Sequence, residues 1–92
     1  MSRGTWTVVR HRDVTTWLIP PDPVVREERA AIREAIKSLQ AGIPEDAHFI
    51  EIDPYTGFEV FRWVEARHWI TLAVDHDKRW IHVTIVESTT IE

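Results

Sequence analysis

Three patterns of apolar positions divide the chain. In the first, Trp6-Thr7-Val8-Val9-Arg10 and Thr15-Thr16-Trp17-Leu18-Ile19 concentrate β-branched and aromatic residues on either side of His11-Arg12-Asp13. That composition predicts two short strands joined by a turn, an N-terminal hairpin over about residues 5–19. In the second, Val25, Ile32, Ile36 and Leu39 recur at spacings of seven, four and three, which sets one apolar stripe along an α-helix. Asp22 followed by Pro23 suits the start of that helix, and Glu27 and Glu28 suit the positive end of its dipole. Gly42 and then Ile43-Pro44 stop it, so the helix is predicted over about residues 23–41.

The third pattern alternates. Ala47 to Asp53, Phe58 to Glu65, Trp69 to Asp75 and Arg79 to Glu87 change polarity every second residue, with turn chemistry at Asp53-Pro54-Tyr55-Thr56-Gly57 and Asp75-His76-Asp77-Lys78. Period two is the signature of strands with one face in a core. These segments predict a four-strand meander over about residues 47–87 and a short tail at 88–92. The order is β-β-α-β-β-β-β: an α+β fold with one amphipathic helix packed on an antiparallel sheet. The 92 residues form one domain, 1–92, since two would each fall below the usual domain size.

Alternation also sorts the two faces. Ile70, Leu72 and Val74 share a face, and Ile81, Val83 and Ile85 join them across the last hairpin, where the helix stripe is expected to cover them. Trp69, Trp80 and His82 then fall together on the opposite face. Phe61 and Trp63 alternate with Val60, Arg62 and Val64, and their facing is open; placed on the second face, they extend its aromatic patch. A sheet covered by one helix leaves its second face in water, and aromatic residues are enriched where proteins meet partners. Trp69, Trp80, His82, Phe61 and Trp63 are therefore the candidate partner-binding residues, for another protein or for self-association. The alternative is that the N-terminal hairpin, carrying Trp6 and Trp17, folds over this face and buries it.

Charge narrows the class of partner. The net charge is −4, and it is uneven. Residues 1–42 hold seven Lys and Arg against five Asp and Glu, whereas residues 43–92 hold four against ten. An acidic second half argues against generic nucleic-acid binding, because most of that affinity comes from neutralising phosphates. One basic feature remains. Arg26, Arg29, Arg33 and Lys37 fall within about 80° of arc on the helix, a secondary basic face that Glu27, Glu28 and Glu34 flank.

The residues offer little to chemistry. No cysteine is present, which removes thiol catalysis and disulfides and fits a reducing compartment. Five histidines include none at the spacing of a helical metal site, and Asp75-His76-Asp77 reads as turn material, so no metal and no cofactor are expected. Ser2, Ser38 and Ser88 lie in no glycine elbow, and three glycines make no phosphate loop. Glu51, Asp53, Glu59 and Glu65 alternate as acids on a solvated face do. No catalytic residue is assigned and no enzyme is expected. No apolar run is long enough to span a bilayer, and the N-terminus lacks the apolar segment of a secretion signal, so the expected location is cytoplasmic.

The predicted hairpin and helix, followed by Ala41-Gly42-Ile43-Pro44-Glu45-Asp46, resemble the ubiquitin-type β-grasp over the first half of the chain, and the four-strand second half departs from it. The reading that follows is a small acidic non-enzymatic protein–protein interaction module, of the inhibitor, immunity or anti-defence kind found in bacteria and phages. Its alternatives are a nucleic-acid binder using the helix row or the aromatic face, and a small-ligand or enzymatic domain with its site between sheet and helix.

Overall fold

The alternating half of the chain folds on itself as its pattern predicts. A computed structural model describes residues 5–18 and 26–88. Within it β3 (Glu59–Glu65), β4 (His68–Asp75) and β5 (Trp80–Ser88) form two successive antiparallel hairpins. Ala66 and Arg67, both at positive φ, make the tight turn between β3 and β4, a backbone shape whose twist matches that of the strands it joins. β2 (His48–Ile52) pairs antiparallel with β3. The remaining strand, β1 (Thr7–Arg10), pairs parallel with β5. The sheet is therefore five-stranded and mostly antiparallel, in the order β1-β5-β4-β3-β2.

The opening departs from the predicted hairpin. Residues 12–17 are a helix, α1 (Arg12–Trp17), and not a second strand. The β-propensity of Thr15, Thr16 and Trp17 is overridden by a helical spacing. Val14 and Leu18 stand four apart, and both are buried in the core. Intrinsic propensities differ by less than about 1 kcal/mol per residue, and burying two aliphatic side chains outweighs that difference. The order is β-α-α-β-β-β-β, with two helices in place of one.

The amphipathic stripe forms α2 (Arg26–Ser38), continued by a single 3-10 turn at Leu39–Ala41. Ile32, Ile36 and Leu39 are buried along it; Val25 and the Asp22-Pro23 start lie outside the described residues. Ser88 belongs to β5 and not to a tail, and residues 89–92 also lie outside the described residues.

Both helices pack on one face of the sheet. Val14 and Leu18 of the α1 segment join Ile32, Ile36 and Leu39 over Ile70, Leu72, Val74, Ile81 and Val83 in one core. Phe61 and Trp63, whose facing the sequence leaves open and which were candidates for the opposite surface, are part of it. Trp63 pairs with Ile70 and is 4% exposed, and Phe61 pairs with Leu72 and packs against the same cluster. Their register settles the ambiguity, because paired residues share a face. Trp63 Nε1 is buried and has no hydrogen-bond partner among the described residues, so its ring stabilises the core through apolar area.

Ile85 moves the other way. Leu72 pairs with Val83 but Thr71 pairs with Ile85, so β5 carries one extra residue there, a β-bulge. Parity reverses beyond it. Val86 packs against the core, whereas Ile85 is 49% exposed on the opposite face.

Ile36, 2% exposed between α2 and the sheet, is the test of this core. Ile36→Ala is expected to cost about 2–4 kcal/mol through the cavity it opens. The urea unfolding midpoint reads it, and an unchanged midpoint would show that the helix stripe does not carry the core.

Candidate functional site: the helix-free sheet face

The second face of the sheet is assembled from alternate positions of four strands. The register sets Val60, Ala73, His82 and Val9 in one row, and Val64, Trp69 and Glu87 in another. Phe58 precedes the first row on the β3 side, and Trp80 and Thr7 lie beside it. No described helix or strand lies over these residues. Trp6 and Trp17, which would have covered them as part of a hairpin, instead pack against the core on the helix side.

Four aromatic groups on this face, Phe58, His82, Trp80 and His11, touch one another. The Phe58 ring stacks on His82 with centroids 5.6 Å apart and planes 11° from parallel. Ala73 lies between their strands, and its small side chain leaves room for that stack. Trp80 meets His82 edge-on at 5.9 Å, and His11 does so at 5.6 Å. Two cations lie over the tryptophans: Lys78 Nζ is 5.0 Å from the Trp80 ring centre, and the Arg62 guanidinium is 4.9 Å from that of Trp69. Such contacts hold the rings in place while leaving area exposed. Val64 (41% exposed) and Ile85 extend the patch with aliphatic surface.

Of the five sequence-predicted partner residues, Trp80 and His82 are brought together here and Trp69 shares their face, whereas Phe61 and Trp63 lie in the core. Val9, His11, Phe58, Val60, Arg62 and Ile85 belong to the face and were not assigned to it. The alternation Phe58-Val60-Arg62-Val64 carried the signal for three of these positions once the facing of β3 was known. Nothing local marks the bulge that turns Ile85 outward.

The predicted basic helix face is divided. Arg29 donates a hydrogen bond to the Trp17 carbonyl at 2.8 Å and stacks 4.5 Å over the Trp17 ring. Arg33 donates to the Leu18 carbonyl. The middle of the row thus ties α2 to the C-terminal end of α1, where carbonyls lack helical partners. Arg26 and Lys37 remain exposed at its two ends.

Asp75, His76 and His68 make contacts that hold the fold. The buried Asp75 carboxylate accepts from the backbone N–H of Asp77 and Lys78 and shapes the β4–β5 turn. His76 bonds Glu59 at 2.6 Å and meets Trp6 edge-on. His68, 5% exposed, bonds the Ala66 carbonyl, lies 3.4 Å from Glu28 and abuts Trp17, so it links α1, α2 and the β3–β4 turn. Among the described residues no three His, Cys, Asp or Glu side chains come together as a metal site. No helix among them is long and apolar enough to cross a membrane.

His82 lies below the usual imidazole pKa. Burial under its aromatic neighbours is the main cause and the adjacent His11 the second; Asp75 opposes the shift and Lys78 adds to it. The unfolded chain therefore takes up this proton before the folded one does as pH falls. The stability contributed by the neutral ring is complete above the unfolded value, about 6.5. It declines on acidification until the folded ring also protonates. His82→Phe keeps the stack on Phe58 and should flatten the loss of urea midpoint between about pH 7 and 5. Equal slopes for the two proteins would remove His82 as their source.

No protein-family model and no curated protein matches this chain. Among solved structures, it is similar to a chain of the archaeal RelE–RelB complex from Pyrococcus horikoshii. The TM-score is 0.70, and the match covers 96% of this chain and 99% of that one at 15% identity. At that identity the likeness concerns the fold: a small α+β domain with a five-stranded, mostly antiparallel sheet.

Proposed function

We propose that this chain is a non-enzymatic protein–protein interaction module that binds its partner through the helix-free sheet face around Trp69, Trp80 and His82. One observation carries this reading. Aromatic and aliphatic side chains from four strands form a continuous surface that no described element covers, and contiguous apolar patches mark interaction sites. Tryptophans in such a patch supply large contact area at little entropic cost. The similar solved chain comes from a complex of two proteins, which supports a protein as the partner class. An inhibitor or immunity role fits the small size and the net charge of −4. Generic nucleic-acid binding fits less well, because Arg29 and Arg33 are engaged with α1.

Iodide quenching of tryptophan fluorescence, measured alongside light scattering, tests this reading. A monomer whose Trp69 and Trp80 emission is readily quenched is expected, as is a Trp80→Ala variant that keeps the unfolding midpoint. Against a partner isolated from the source organism, Trp80→Ala should weaken binding by about tenfold or more. Rings protected only in a dimer would make the face a self-association surface. Rings protected in a monomer, with Trp80→Ala unfolding the domain, would make them core and end the proposal.

A further inference from the structure

A second surface lies at the edge of the sheet, away from the aromatic face. β1 is an edge strand, bonded to β5 on one side only. Thr7 N–H donates to the Arg79 carbonyl and His11 N–H to the Val83 carbonyl. Because backbone groups alternate sides along a strand, the N–H and C=O of Val8 and Arg10 point the other way, to the open edge. Among the described residues no strand pairs with that edge; Trp6 N–H, just ahead of β1 on the same side, bonds the Gln40 carbonyl at 2.9 Å, so the open edge spans Val8 and Arg10. A groove of about 280 Å³ runs beside it, lined by Val8, Arg10, Arg33, Glu34, Ile36 and Lys37.

The chemistry of this groove is specific. Its floor is aliphatic, from Val8 and Ile36. Three cations face one carboxylate, in a protein whose overall charge is negative. Arg10 and Lys37 are exposed; Arg33 spends one N–H on the Leu18 carbonyl and keeps the rest of its donor fork. A nucleic acid would meet the same cations, but it has no use for an open strand edge. An extended peptide uses all three features. Its backbone completes the ladder on β1, its alternate side chains point toward α2, and carboxylates at those positions meet Arg10, Arg33 and Lys37.

We propose that the groove between the free edge of β1 and α2 takes an acidic extended segment of a protein partner, which adds to β1 as a further strand. The proposal rests on the protein-interaction reading above but on a different surface. Failure here leaves the Trp80 test untouched, and failure there leaves this one.

The probe is a fluorescein-labelled peptide of about nine residues alternating Glu and Val, titrated by anisotropy into the whole chain. Its counterparts carry Lys for every Glu, or Pro at two central Val positions to remove the ladder donors. Saturable binding of the acidic peptide is expected, weaker by about tenfold or more for both counterparts and for Arg10→Glu/Lys37→Glu. Trp80→Ala should bind it as the parent does. Amide resonances of Val8 and Arg10 should shift in the unaltered protein, a readout independent of any variant. Several results would overturn the proposal: no saturable binding up to about 1 mM, equal affinity for the acidic and lysine peptides, affinity unchanged in Arg10→Glu/Lys37→Glu, or shifts confined to the Trp69 and Trp80 face. Tighter binding of a single-stranded RNA oligonucleotide than of the acidic peptide would assign the groove to nucleic acid instead.

Discussion

The placement of β1 and β2 at opposite edges of the sheet governs the rest of the molecule. These strands are consecutive in sequence, so the chain between them must traverse the full width of the sheet. It does so as α1 and α2, on one face. Val14, Leu18, Ile32, Ile36 and Leu39 of that connection are thereby directed at the same surface, and the core forms there. The price is that, among the described residues, no connecting element covers the other face. One-sided coverage is common in antiparallel sheets, whose second face is ordinarily polar. Here it carries tryptophan, phenylalanine and aliphatic groups, and this mismatch between position and composition makes it a candidate contact surface.

Polar contacts fix how the helices sit. Arg29 and Arg33 reach from α2 to the last carbonyls of α1, where a short helix has no internal means of satisfying them. His68 joins the β3–β4 turn to Glu28 at the start of α2 and to Trp17 at the end of α1. A charged row that reads as a solvated or ligand-binding helix face is thus partly internal strapping. Arg26, Arg33 and Lys37 still meet solvent, and Arg33 and Lys37 do so at the groove beside β1.

The two exposed edges of the sheet differ. β2 is exposed throughout and carries Phe49, Ile50 and Ile52 at 49–58% exposure, but it has a register shift between Phe49 and Glu51. Such irregularities twist an edge away from further pairing. β1 has no shift in its register with β5 and is flanked by cations. The edge with the more regular backbone is also the one with the more selective surroundings.

The sequence by itself determined the elements whose signal is local and periodic. The α2 stripe, the alternation of β4 and β5 and the turn residues between them all specify structure from neighbours a few positions away. They were legible together with the aliphatic face from Ile70 to Val83 and the grouping of Trp69, Trp80 and His82. Tertiary structure alone decided the rest. Residues 12–17 are helical because Val14 and Leu18 reach a core built mainly by distant segments, although Thr15-Thr16-Trp17 favours a strand. Phe61 and Trp63 turn inward because β3 pairs with β4 in one register, which alternation within β3 does not specify. Ile85 turns outward because of a bulge against Thr71 and Leu72. The parallel pairing of β1 with β5 joins segments some seventy positions apart. No local pattern records a contact of that range, because its free energy comes from burial and hydrogen bonds that exist only once both segments are in place.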